Sequence, residues 1–162
     1  MIFERTTVIA APLPRVFDFF AQPENLARIT PPSTRFRIVA GPSRRLREGD
    51  RIEYALRVFG LPFRWASRIE AWREGESFAD VQERGPYKSW RHTHTFRAVG
   101  PATEMHDRVE YELPFGALGR LVAGRLIARK LEAIFDFRGR AIIYALTNMS
   151  SGHTFALTNM WR

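Results

Sequence analysis

The chain has 162 residues, 45% apolar and 26% charged, with a formal net charge of +8 and no cysteine. That length supports one domain around one core, and the balance of apolar and charged residues reads as soluble and globular. Without cysteine, disulfides, thiolate metal sites and Cys nucleophiles are excluded.

The opening MIFERTTVIAAP has no basic region ahead of an apolar run, so no signal peptide is expected. No apolar run approaches the ~20 residues that span a bilayer, and the default location is cytoplasmic. Residues 2–10 read as a strand. Pro12 and Pro14 follow, then Val16, Phe17 and Phe20 of a short helix, where Pro suits the first turn. Pro23 opens a second short helix through Ile29, which Thr30-Pro31-Pro32-Ser33 ends because residues before Pro avoid the α region. Strands are expected at about 34–40, 50–59, 63–73, 77–84, 88–99 and 103–113. The breaks carry turn chemistry: Gly41-Pro42, Gly49-Asp50, Gly60-Leu61-Pro62, Glu74-Gly75, Gly85-Pro86 and Gly100-Pro101. The Gly85-Pro86-Tyr87 break is expected to turn at a cavity rim.

Pro114 closes the last strand, and from about Ala117 to Leu146 the period becomes helical. Leu118, Leu121, Val122, Leu126, Ile127, Leu131, Ile134 and Phe135 form an apolar stripe. A helix of this length is expected to lie across the concave face of the sheet with that stripe inward. Arg120, Arg125, Arg129, Lys130, Arg138 and Arg140 make much of the remainder basic, and Gly139 marks an expected bend or weak spot. The tail repeats itself: Ala145-Leu146-Thr147-Asn148-Met149 recurs as Ala156-Leu157-Thr158-Asn159-Met160. The expected organisation is a domain over residues 1–146 and a tail over 147–162.

The stretch from Phe78 to Leu113 places polar groups where a sheet should bury apolar ones. With period-two alternation, Phe78, Asp80 and Gln82 share one face of their strand. Trp90, His92, His94 and Phe96 share one face of the next. Met105, Asp107, Val109, Tyr111 and Leu113 share one face of the third. The opposite faces are mostly charged or hydroxylic, so the aromatic face points inward and takes Asp80, Gln82, His92, His94 and Asp107 with it. Leaving one such group buried and unpaired costs roughly 1–3 kcal/mol, and a ligand cavity is a good reason for several together. Ile52, Tyr54, Leu56 and Val58 on one earlier strand, and Phe63, Trp65, Ser67, Ile69 and Ala71 on another, supply an apolar wall. Trp72 and Phe59 fall on the outward phase, where a dimer or partner patch would lie.

Several segments resemble a known family. Ala11-Pro12 ahead of Val16-Phe17-Asp18-Phe19-Phe20, and Leu26-Ala27-Arg28-Ile29-Thr30-Pro31-Pro32, are similar to the opening of START-like (SRPBCC) proteins. Phe78-Ala79-Asp80-Val81-Gln82, Gly85-Pro86-Tyr87, Trp90-Arg91-His92-Thr93-His94-Thr95-Phe96, Asp107-Arg108-Val109-Glu110-Tyr111 and Pro114-Phe115-Gly116 resemble a bacterial branch of it. That branch is often labelled ligand-binding SRPBCC protein or cell division inhibitor, and sometimes precedes a nucleotide-sugar-epimerase-like domain. The resemblance covers about residues 2–145. It implies an α+β helix-grip fold: a curved antiparallel sheet of about seven strands, two short helices after the first strand, and a long C-terminal helix over the concave face. It also implies a cavity, but no particular reaction.

The expected function is binding of a small, largely apolar ligand, lipid- or polyketide-like, between sheet and C-terminal helix. Candidate ligand-binding residues are Tyr54, Phe63, Trp65, Asp80, Gln82, Trp90, His92, His94, Asp107 and Tyr111. The polar members would orient the ligand's oxygens or nitrogens, with a His–Asp pair fixing a tautomer. Two histidines two apart beside a carboxylate also outline a two-His-one-carboxylate metal site, but no metal or other cofactor is expected. One alternative is a cyclase or dehydratase using the same His and Asp groups; another is a regulatory protein-partner module. No nucleic-acid signature, Ser nucleophile motif or phosphate loop is present, no stable membrane insertion is expected, and the oligomeric state is left open.

Overall fold

The computed structural model describes residues 1–148. Seven strands form one antiparallel sheet: β1 Ile2–Ile9, β2 Arg37–Ala40, β3 Arg51–Val58, β4 Leu61–Arg73, β5 Ser77–Arg84, β6 Ser89–Val99 and β7 Ala102–Glu112, in the order β1-β7-β6-β5-β4-β3-β2. Between β1 and β2 come α1 (Leu13–Ala21), α2 (Asn25–Arg28) and a 3₁₀ turn at Pro32–Thr34; α3 (Gly116–Asn148) follows β7. β2 starts later than expected because Thr34 belongs to that turn, its hydroxyl donating to Pro31 O at 2.7 Å. The second copy of the tail repeat lies outside the described residues.

The layers follow from sequence periodicity. In α1, Val16, Phe17, Phe20 and Ala21 are buried together. Phe17 wedges edge-on between Trp72, Phe78 and Phe96, with ring centroids 5.3, 6.0 and 5.3 Å away. The far half of α3 completes this core with Ile142, Ala145 and Leu146. Its middle, Leu131 and Phe135, packs on Val109, Tyr111 and Leu113. Every second residue of β7 from Thr103 to Tyr111 is buried, as period two requires.

Two expectations are corrected. Trp72 does not face outward: Ala71 adopts φ +53°, the β4–β5 register jumps between Glu70 and Arg73, and the bulge turns Trp72 onto Phe78 at 5.2 Å. The first turns of α3 do not cover the sheet. Leu118, Leu121, Val122 and Leu126 are exposed, because β7 has ended at Glu112 and the helix begins beyond the sheet.

The outer face neutralises many of its arginines across strands. Glu83 takes both Arg51 and Arg68, Glu70 takes Arg91 at 3.0 Å, and Glu4 takes Arg108 at 2.6 Å. No helix among the described residues is long and apolar enough to cross a membrane.

A buried histidine and aspartate cluster at the end of an apolar cavity

His92 and His94 lie on one side of β6. The register sets Asp80 of β5 opposite His92 and Asp107 of β7 opposite His94, so the cluster is a direct product of strand pairing. Asp107 Oδ1 lies 3.0 Å from His92 Nε2 and 2.7 Å from His94 Nδ1, the latter without the alignment of a hydrogen bond. On the other side, Asp80 Oδ2 lies 3.2 Å from His92 Nδ1 and 3.9 Å from His94 Nε2. Asp107 and both histidines are buried, and Asp80 is partly exposed.

Both ring nitrogens of His92 therefore meet carboxylates. Burial alone would push its pKa down, but hydrogen bonding to Asp107 and Asp80 outweighs burial and raises it. His94 has the opposite fate: burial, reinforced by the positive charge on His92, lowers it to about 4. Burial opposes ionisation of Asp107 and Asp80, yet the histidines hold both below the ordinary carboxylate value. The two carboxylates thus favour the protonated form of His92, beside a His94 that is neutral at pH 7. The short approach of His94 Nδ1 to Asp107 assigns the proton of the neutral ring to Nδ1 and makes Nε2 the acceptor.

The network continues through Ser67. Its hydroxyl donates to Asp80 Oδ1 at 3.4 Å and accepts from Trp65 Nε1 at 3.0 Å. Tyr54 Oη is 3.2 Å from the same oxygen. Since the one Ser67 proton goes to Asp80, Tyr54 is the donor.

These groups line a cavity of about 160 Å³ enclosed by the sheet, α1, α2 and α3. Tyr54, Trp65, Asp80, Trp90, His92 and His94 line it. Four other sequence candidates lie elsewhere. Asp107 sits behind the two rings. Gln82 turns to the β5–β6 connection, where its Nε2 donates to Tyr87 O at 2.8 Å. Tyr111 packs against Tyr87 and Trp90. Phe63 lines a separate apolar groove of about 420 Å³ outside the cavity.

Some lining residues were not among the candidates. Ser67 carries the signal that marked Asp80, a polar residue on an inward phase. Arg138 lies one helical turn beyond Ile134 and two beyond Leu131, on the apolar stripe. Its guanidinium sits 5.7 Å over the Phe135 ring, and its buried Nε has no hydrogen-bond partner among the described residues.

The ligating atoms of Asp80, His92 and His94 lie within 4.8 Å of one another, close enough to share one divalent ion. His92 already meets a carboxylate at each ring nitrogen, so an ion here would compete with those contacts. The wall can accept a hydrogen bond at His94 Nε2, donate one from Arg138, and bury an apolar body against Trp65, Trp90 and Leu131.

Comparison with known proteins places this geometry. The fold matches a START superfamily protein from Mycobacterium smegmatis at TM-score 0.69 and 12% identity, covering 91% of this chain and 98% of that one. It matches the Zhui aromatase/cyclase of Streptomyces sp. R1128 at TM-score 0.65 and 20% identity, covering 93% of each. It also matches a nucleoside-diphosphate sugar epimerase from Corynebacterium glutamicum at TM-score 0.68 and 23% identity, covering 91% of this chain but 30% of that one. Comparison with curated protein sequences finds no match. The family model described as polyketide cyclase / dehydrase and lipid transport matches residues 9–135. The chain therefore belongs to that START-like family of polyketide cyclases, dehydrases and lipid transport proteins.

Proposed function

We propose that the protein binds a small amphipathic molecule, lipid- or polyketide-like, with its oxygen-bearing end against the buried cluster and its apolar body along Tyr54, Trp65, Trp90 and Leu131. The observation that carries this reading is the position of the polar groups. They line a mainly apolar cavity in which the buried Arg138 Nε has no hydrogen-bond partner among the described residues. A buried donor without a partner is costly, and a ligand oxygen would supply one. The cavity is small for a drug-sized molecule, which typically needs about 300–1,000 Å³. Its wall shares Val58, Tyr87 and Ile127 with the outer groove, so the far end of the ligand would run into that groove.

The same histidines could serve a cyclase or dehydratase. His94, held near 4, is a weak base at neutral pH, and both ring nitrogens of His92 are engaged by carboxylates. General acid–base catalysis favours groups poised near the working pH, so binding is the better reading.

The test begins with native mass spectrometry of freshly purified protein, then organic extraction of any bound compound. Binding of a fluorescent fatty acid is then compared with a cavity-filling Leu131→Trp variant and with His94→Phe. Each is expected to weaken binding about tenfold or more while the circular dichroism spectrum is kept. Unchanged affinity in folded Leu131→Trp would sink the cavity reading.

A further inference from the structure

The start of α3 and the tip of the β3–β4 hairpin carry a large apolar surface that no described residue covers. Phe115, Leu121 and Val122 are 85%, 84% and 78% exposed, and Leu118, Leu126, Phe59 and Leu61 are exposed beside them. Monomeric proteins seldom leave so many large apolar side chains together in water without an interaction to explain them. The hairpin tip and the helix face each other across the apolar groove, and Val58, Tyr87 and Ile127 belong to both groove and cavity. The exposed patch thus borders the wall of the ligand site.

Charge identifies the occupant. From Leu113 to Leu131 the chain has Arg120, Arg125, Arg129 and Lys130 and no acidic residue. The hairpin adds Arg57 and Arg64 just behind its apolar tip. None of Arg57, Arg64, Arg120, Arg125 or Arg129 forms an ion pair among the described residues, in contrast to the paired arginines of the outer sheet face. An apolar tip ringed by unpaired cations matches the interfacial region of an anionic bilayer, with acyl chains below and phosphates around. A second copy fits poorly, because a two-fold contact would set these arginines against their own equivalents. Residues 149–162 contain no Asp or Glu to pair with them.

We infer that the β3–β4 hairpin tip and the first turns of α3 dock the protein on anionic lipid membranes, with the apolar groove facing the acyl chains. This goes beyond ligand binding and is measured without it. Leu131→Trp, which fills the cavity, should leave docking intact, so the two readings fail separately.

The experiment is vesicle co-sedimentation with the full chain, comparing phosphatidylcholine vesicles with and without phosphatidylglycerol. Binding is expected only with phosphatidylglycerol and should weaken steeply as salt rises. The double variant Leu121→Asp, Val122→Asp should bind at least tenfold more weakly. Arg120→Gln and Arg125→Gln should each weaken binding about fivefold. All these side chains are exposed, so unchanged thermal unfolding is the folding control. A photo-crosslinker at Leu121 should capture lipid. Capture of a second copy or of residues 149–162, absence of sedimentation with phosphatidylglycerol vesicles, or equal binding by the aspartate variant would each overturn the inference.

Discussion

The inner faces of β5, β6 and β7 carry two different interiors on the same three strands. At one end Phe96 and Met105 are sealed under Phe17 of α1 and Ile142 of α3, with Phe78 bordering both this core and the cavity. At the other end Asp80, His92 and Trp90 look into a cavity. His94 is the junction, its ring 4.7 Å from Phe78 on the sealed side and 4.0 Å from His92 on the open side. The pleat and pairing are continuous across the boundary, so the difference comes from the roof. Where α1 and α3 both reach the sheet, aromatic rings fill the space between. Beyond Phe17, the end of α1 with Phe19 and Phe20, α2 and the middle of α3 stand over the sheet and leave a void. Chemistry follows that geometry, because carboxylates and imidazoles persist in an interior where they can pair with one another and meet a ligand.

The contrast can be broken most forcefully at its sealed end. Phe17→Ala should remove about 3–5 kcal/mol of stability, lowering the melting temperature by roughly 10 °C for a domain of this size, while fatty-acid affinity stays within about twofold. An equal loss of affinity would mean that the two interiors are one cooperative site.

The pH dependence sharpens the open end. His94 has a folded pKa of about 4 against an ordinary 6.5, so between those values the unfolded chain binds the extra proton. Stability should fall as pH drops from 6.5 toward 4, by on the order of 3 kcal/mol from this group. Asp80 and Asp107, held low in the folded state, add a loss as pH falls below their ordinary value of 3.8. His92, raised in the folded state, acts oppositely: its contribution is present below 6.5 and is lost as pH rises through its folded value. Urea unfolding from pH 3 to 8 checks this. In His94→Phe the slope between pH 6.5 and 4 should flatten; an unchanged slope would assign the acid loss to other groups.

The smallest expected effect lies at the rim. Gln82→Ala removes two hydrogen bonds to the Tyr87 backbone, donated at 2.8 Å and accepted at 3.4 Å. It should cost about 1–2 kcal/mol and change ligand affinity by less than about threefold. A larger affinity change would show that this connection shapes the cavity.

How much of this was legible in the sequence depended on whether a local rule was enough. The inward face shared by Asp80, His92, His94 and Asp107 was readable because period two fixes the face, but their meeting was not, because it depends on a cross-strand register that only the pairing shows. The inward Trp72 was not, since its phase is reversed by a bulge at Ala71, where no glycine flags the positive φ. Phe63 and Tyr111 sit on the expected faces but outside the cavity, because periodicity gives the side of a strand and not the position of a helix along it. The stripe on α3 runs unbroken from Leu118 to Phe135 in sequence, and only the end of β7 decides which half is covered. Arg138 was seen as part of a basic surface, since a cation on the buried side of a helix leaves no periodic mark.

The pairing of β1 with β7 has a consequence in time. Ile2 lies opposite Glu110 and Ile9 opposite Thr103, so the first strand synthesised has its partner about a hundred residues away. At ribosomal rates of about 5–20 residues per second, β1 waits some 5–20 s for that partner. α3 emerges later still, so the sheet that floors the cavity can close before its lid exists.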